Sequence, residues 1–137
     1  MKDFDSWNLL KKKIDDHPKG PLFKEGEVWW VNCGLNIGYE IDGKGELFLR
    51  PFIIIKKNDS NSSICVPLTK NLSNRNYYFR LEIKGLIISC SLSQIKTIDS
   101  RRLFRKHCEI SSSKLKVVKD EILNYFINPS GAPEGRG

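Results

Sequence analysis

From residue 27 to residue 110 the chain keeps returning to short runs of β-branched and aromatic side chains, each closed by glycine, proline or asparagine. The runs are "EVWWVNC" (27–33), "LFLRPFIIIKK" (47–57), "ICVPLT" (64–69), the hairpin-like "NYYFRLEIKGLIISCSLS" (76–93) turning at Lys84-Gly85, and "RLFRKHCEI" (102–110). No helical period separates them, so the chain lacks the βαβ alternation of a parallel sheet. Strands this short must pair mostly with sequence neighbours, and the economical result is a small, strongly curved antiparallel sheet or barrel. Residues 34–46 read as a glycine-bearing loop, "NDSNSS" as a turn and "QIKTID" (94–99) as a connector. Pro67 is expected at a bulge or beside an unpaired edge, because it has no N–H for a ladder.

Helical periods occur only at the two ends. Phe4, Trp7, Leu10 and Ile14 form one stripe, stopped by "HPKGP"; Leu115, Val118, Ile122 and Tyr125 or Phe126 form another, opened by capping serines and closed before Pro129. The expected organisation is an N-terminal helical extension (1–20), a mainly β domain with its C-terminal helix (21–128), and a flexible tail (129–137). A chain of 137 residues supplies one hydrophobic core. No apolar run approaches the ~18 residues of a membrane span and the first residues lack a secretory pattern, so the expectation is a soluble, cytoplasmic protein.

Arg50 is the residue that calls for an explanation. It stands at the mouth of the apolar run "PFIII", where burying an unpaired guanidinium costs several kcal/mol, on the order of the loss of a buried ion's partner. Either it pairs with an acid such as Glu46, or it faces a ligand. The net charge is +7, with eight Lys or Arg against two acids between residues 96 and 119, which suits a polyanionic partner. Cys33, Cys65, Cys90 and Cys108 are scattered, and His17 and His107 stand in no ligand spacing. Reduced cysteines, and neither a metal site nor a paired-histidine nuclease, are expected.

Taken in order, "EGEVWWVNCGLNIGYE", "LRPFIII", "ICVPLT" and "LSQIKTIDSRRL" resemble the MazF/PemK family of toxin endoribonucleases from toxin–antitoxin pairs. The resemblance implies an SH3-like barrel, a homodimer, a protein antitoxin, and cleavage of single-stranded RNA without metal or cofactor. On that pattern Arg50 and Thr69 are the catalytic donors at the scissile phosphate, with Glu40 of the Gly-x-Glu loop as the candidate proton acceptor. Tyr39, Lys44, Gln94 and Lys96 are the candidate RNA contacts, while Asp99 and Arg102 hold the connector together. Trp29, Trp30, Tyr39 and Tyr77 could stack bases; of the two tryptophans, one should be core and the other interface. Two other functions fit the same barrel: a non-catalytic toxin acting on a protein target, as gyrase poisons do, and an RNA-binding module that does not cleave.

Overall fold

The computed structural model describes residues 1–128; the tail expected at 129–137 lies outside them. In chain order the elements are α1 (Phe4–Asp15), β1 (Glu27–Asn32), β2 (Leu49–Lys57), β3 (Ser62–Thr69), β4 (Tyr78–Ile83), β5 (Leu86–Ser91), β6 (Lys96–Asp99), β7 (Leu103–Glu109) and α2 (Ser112–Ile127). The seven strands make one antiparallel sheet in the order β4-β5-β3-β2-β1-β7, with β6 added to β3. This is the expected mainly β fold with a helix at each end; the ladder stays open, with β4 and β7 at its ends.

The expected connector 94–99 is in part a strand. Ser62–Cys65 of β3 pair with β6, from Ser62↔Asp99 to Cys65↔Lys96, and short 3-10 turns at Leu92–Gln94 and Ser100–Arg102 flank it. Four mostly polar residues carry no period strong enough to announce a strand; the free edge of β3 imposes it. Farther along, Leu68 and Thr69 pair with β5. Pro67 falls where β3 changes neighbours, opposite Phe52 of β2 and without a ladder partner on its other side. Its missing N–H is harmless there. The β4–β5 turn is Lys84-Gly85, with φ of 53° and 81°, the left-handed pair that two-residue hairpins favour.

The apolar run of β2 is unbroken because both faces of the strand are covered. Ile53 and Ile55 face a core shared with Val66, Leu68 and Leu92 and capped by Val118 and Ile122 of α2. Phe52 and Ile54 face a second core with Trp29, Val31, Ile98 and Leu103. Each such side chain, taken fully out of water, contributes about 1.5–3 kcal/mol. Ser111 caps α2, its hydroxyl accepting from the Lys114 N–H at 3.1 Å; Asp3 caps α1 through the Ser6 N–H at 3.0 Å. The four cysteines are free thiols. Burial pushes those of Cys65 and Cys90 up to about 11 and about 12.

Glu27, 6% exposed, is a carboxylate built into this frame. It accepts from Trp29 Nε1 at 3.0 Å and the Lys24 N–H at 2.9 Å, and pairs with Lys106 Nζ at 3.2 Å. Burial alone would raise its pKa; the three donors outweigh it and hold the carboxyl below its ordinary range. Trp29 is thereby the core tryptophan, and Trp30 the half-buried one on the opposite face.

Candidate active site

Arg50 leaves the second residue of β2 half-buried, and no acid pairs with it among the described residues. Glu46 is not its partner. Its Nε donates to the main-chain carbonyl of Asp42 at 2.6 Å and its Nη1 to that of Leu68 at 3.1 Å. Two of the five guanidinium N–H groups therefore orient the fork, and three remain for another acceptor. Burial lowers its pKa from the ordinary value, while Cys33, Asp42 and Tyr78 pull the other way. It stays a cation at any working pH.

The guanidinium lines a cleft of about 670 Å³. Thr69, at the end of β3, lines the same cleft, one residue beyond the carbonyl that Arg50 holds; its hydroxyl accepts from the Asn71 N–H at 3.2 Å, and its own proton is free to donate. Lys44 lines it as well, as do Trp30, Lys70, Arg105 and His107. Of these, sequence reasoning had named Trp30 only as a possible base stacker and had not singled out Lys70, Arg105 or His107 as site residues. For Arg105 the signal was available: it is the register partner of Trp30 across β1 and β7, and the charge excess of its segment had been noted. The indole of Trp30 and the imidazole of His107 stand 5.5 Å apart at one wall.

The other candidates gather elsewhere. Tyr39, Glu40, Gln94 and Lys96 line a neighbouring cleft of about 540 Å³. Glu40 is exposed and one of its carboxylate oxygens accepts from the Ile37 N–H at 3.0 Å, so it closes a turn of its own loop. Tyr39 is fully exposed. Gln94 Oε1 accepts from the Ile41 N–H at 2.6 Å and its Nε2 donates to the Tyr39 carbonyl at 3.2 Å. Residues 39–42 are thus held by Gln94 from one cleft and by Arg50 from the other. Asp99 and Arg102 are at the connector: Asp99 grips Arg101, with Nε to Oδ1 at 2.9 Å, and Arg102 donates to the Asn32 and Cys33 carbonyls at 3.1 and 3.2 Å. Tyr77 stacks on Tyr78, ring centres 4.8 Å apart, away from the residues lining either cleft. Among the described residues, no group of three or more His, Cys, Asp or Glu is placed to hold a metal ion, and no helix is long and apolar enough to cross a membrane.

Residues 24–126 match the family described as PemK-like, MazF-like toxin of type II toxin–antitoxin system, and the chain belongs to that family. Among solved structures it is similar to MazF from Deinococcus radiodurans (TM-score 0.63, 16% identity, covering 77% of this chain and 97% of that one). It is also similar to an endoribonuclease in complex with its cognate antitoxin from Mycobacterial species (TM-score 0.57, 16% identity, 80% and 98% covered). At that identity the likeness concerns the fold. None of the curated proteins matches the chain in sequence.

Proposed function

We propose that the protein is a cytoplasmic toxin that cleaves single-stranded RNA, using the ribose 2′-hydroxyl next to the scissile phosphate as nucleophile and needing no metal or cofactor. The observation that carries this reading is Arg50: a guanidinium fixed by two carbonyls, paired with no carboxylate among the described residues, and open to a cleft that also holds the Thr69 hydroxyl. As the 2′-oxygen attacks, negative charge builds on the phosphorus oxygens, and donors already aimed at them stabilise the transition state more than the ground state. Arg50 supplies the planar fork and Thr69 a second donor. Bond formation from the 2′-oxygen to phosphorus and loss of the 5′-oxygen leave a cyclic phosphate and a 5′-hydroxyl. Lys44, Lys70 and Arg105 at the rim suit the flanking phosphates, and Tyr39, Gln94 and Lys96 suit the chain where it continues into the second cleft.

Two groups are candidates to take the 2′-hydroxyl proton. His107 is in the Arg50 cleft itself; Glu40 reaches the nucleotide only where the strand crosses residues 39–42. Loss of the rising limb of the pH–rate profile in Glu40→Gln or in His107→Gln assigns the role.

The chain would act as a homodimer, aligning two basic clefts, and be restrained by a cognate antitoxin whose acidic, extended segment covers them. The neighbour described as a complex with its antitoxin supports that partner. A long single-stranded RNA incubated with the protein in chelator tests the reading. Cuts that disappear in Arg50→Ala, and at positions made 2′-deoxy, are expected. Binding without cuts would favour the non-cleaving RNA-binding module, and neither binding nor cuts a protein target.

A further inference from the structure

Helix α1 precedes the segment that matches the family, and only Trp7 of its residues is buried. It therefore adds little to either core. Apart from Asp15, whose carbonyl and carboxylate hold Arg101, its contacts fall on the connection from β1 to β2, the segment that presents the Asp42 carbonyl to Arg50.

At one end of the helix, Lys2 Nζ pairs with Asp42 Oδ2 at 2.8 Å and donates to the Asn36 carbonyl at 2.7 Å. The other Asp42 oxygen accepts from the Asn36 N–H at 2.6 Å, and Asn36 Nδ2 donates to the Ile41 carbonyl at 2.7 Å. Both oxygens of the Asp42 carboxylate are thus engaged; its charge still favours the Arg50 cation, but the group that bonds Nε is the neutral main-chain carbonyl at 2.6 Å. One turn along, the indole of Trp7 seats both ends of the same connection. Gly34 lies so close that a β-carbon there would stand 2.3 Å from Trp7 Cε2. Phe48 meets the ring edge-on at 5.6 Å, in a left-handed conformation (φ 52°) that a bulky side chain holds only under constraint. The Arg102 guanidinium, bonded to the Asn32 and Cys33 carbonyls, covers the ring at 5.6 Å.

We infer that α1 is a brace for the catalytic fork: Lys2 and Trp7 are positioning residues that fix the β1–β2 connection, and Lys2 keeps the Asp42 carboxylate from competing with phosphate for Arg50. The inference rests on the reading of Arg50 as the phosphate clamp, and it goes beyond what the family match covers. A carbonyl can orient a guanidinium only if it is itself stationary, and a glycine-bearing loop with no brace opens at low cost. Lys2→Met removes the charge without touching a core; Trp7→Ala removes the seat.

The test reads Arg50 directly. In the 15N-labelled full chain the Arg50 Nε–H resonance, assigned by its loss in Arg50→Lys, reports exchange with solvent. Exchange about tenfold faster in Lys2→Met and in Trp7→Ala, and within about twofold of the parent in Lys2→Arg, is expected. In the RNA assay Lys2→Met should lose about tenfold in kcat, with KM held within about twofold, because misplacing a fixed donor damages the transition state more than binding. An unchanged Arg50 Nε–H exchange in folded Lys2→Met overturns the inference, and that variant decides the matter if Trp7→Ala fails to fold. Should the parent protein leave RNA uncut, the ribonuclease reading falls, while the exchange rates still decide whether α1 braces Arg50.

Discussion

Arg50→Lys separates the shape of the clamp from its charge. The arginine donates through Nε to Asp42 and through Nη1 to Leu68, which leaves three N–H groups for the phosphate of the proposed reaction. A lysine ammonium at the end of a flexible chain has three donors in all and no plane; it cannot hold both carbonyls and still present two parallel donors to one phosphate. Charge is conserved, so the electrostatic part of RNA binding and its salt dependence should change little. The loss should fall on the chemical step: removal of one preorganised donor from a developing oxyanion costs about 2.7–4 kcal/mol, a fall of about 10²–10³ in kcat. Freeing the carbonyls of half-buried Asp42 and buried Leu68 should cost stability as well, by about 1–3 kcal/mol. Single-turnover cleavage of a fluorescent RNA, with binding followed by anisotropy at two salt concentrations, measures both parts. Cleavage by Arg50→Lys within about fivefold of the parent would refute the reasoning, because the fork would then be doing nothing that a point charge cannot do.

Thr69→Val keeps the shape and removes the hydroxyl; a loss of about tenfold in cleavage, with thermal unfolding within about 1 kcal/mol of the parent, is expected and is read by the same assay and a melting curve. Gly34→Ala must place a methyl against the Trp7 indole at a φ of 84°, and should destabilise by about 2–4 kcal/mol; Gly38→Ala, at a φ of 53° with nothing within 4 Å, should cost about 1 kcal/mol, both by chemical denaturation. Glu27 has its folded pKa held below the ordinary 4.5, so its contribution is present above the unfolded value and is lost as pH falls through the folded one. Stability should therefore drop on acidification below about pH 4.5, and Glu27→Gln should flatten that part of the curve when denaturation midpoints are compared across pH.

Strands and end helices were legible because their signals are local. Val28, Phe52–Ile55 and Val66 are β-branched or aromatic in short bounded runs, and Val118 and Ile122 repeat at helical spacing. The strand at Lys96–Asp99 was not legible, since its reason for existing is the edge of β3 thirty residues away by order of magnitude. Arg50 could be singled out as an unusual charge beside an apolar run, but its holders, the carbonyls of Asp42 and Leu68, are main-chain groups that every residue has, and only the fold says which ones arrive. The same holds for Glu40 and Lys44: five residues of sequence contain them both, yet they line different clefts. Alternation told that Trp29 and Trp30 part ways; the buried Glu27 carboxylate decides which one turns inward.

The handover at Pro67 has a mechanical consequence. The β4–β5 hairpin joins β3 through only two register pairs, Leu68↔Cys90 and Thr69↔Ser89, whereas β2 and β3 share a ladder along most of their length. Ile83, Leu86 and Ile88 of that hairpin line the cleft together with Arg50. The hairpin's ladder to the rest of the sheet is therefore short and ends beside the threonine, and what seats this side of the cleft is the burial of Leu81, Ile83 and Cys90 in the core beneath α2 rather than a long row of main-chain bonds.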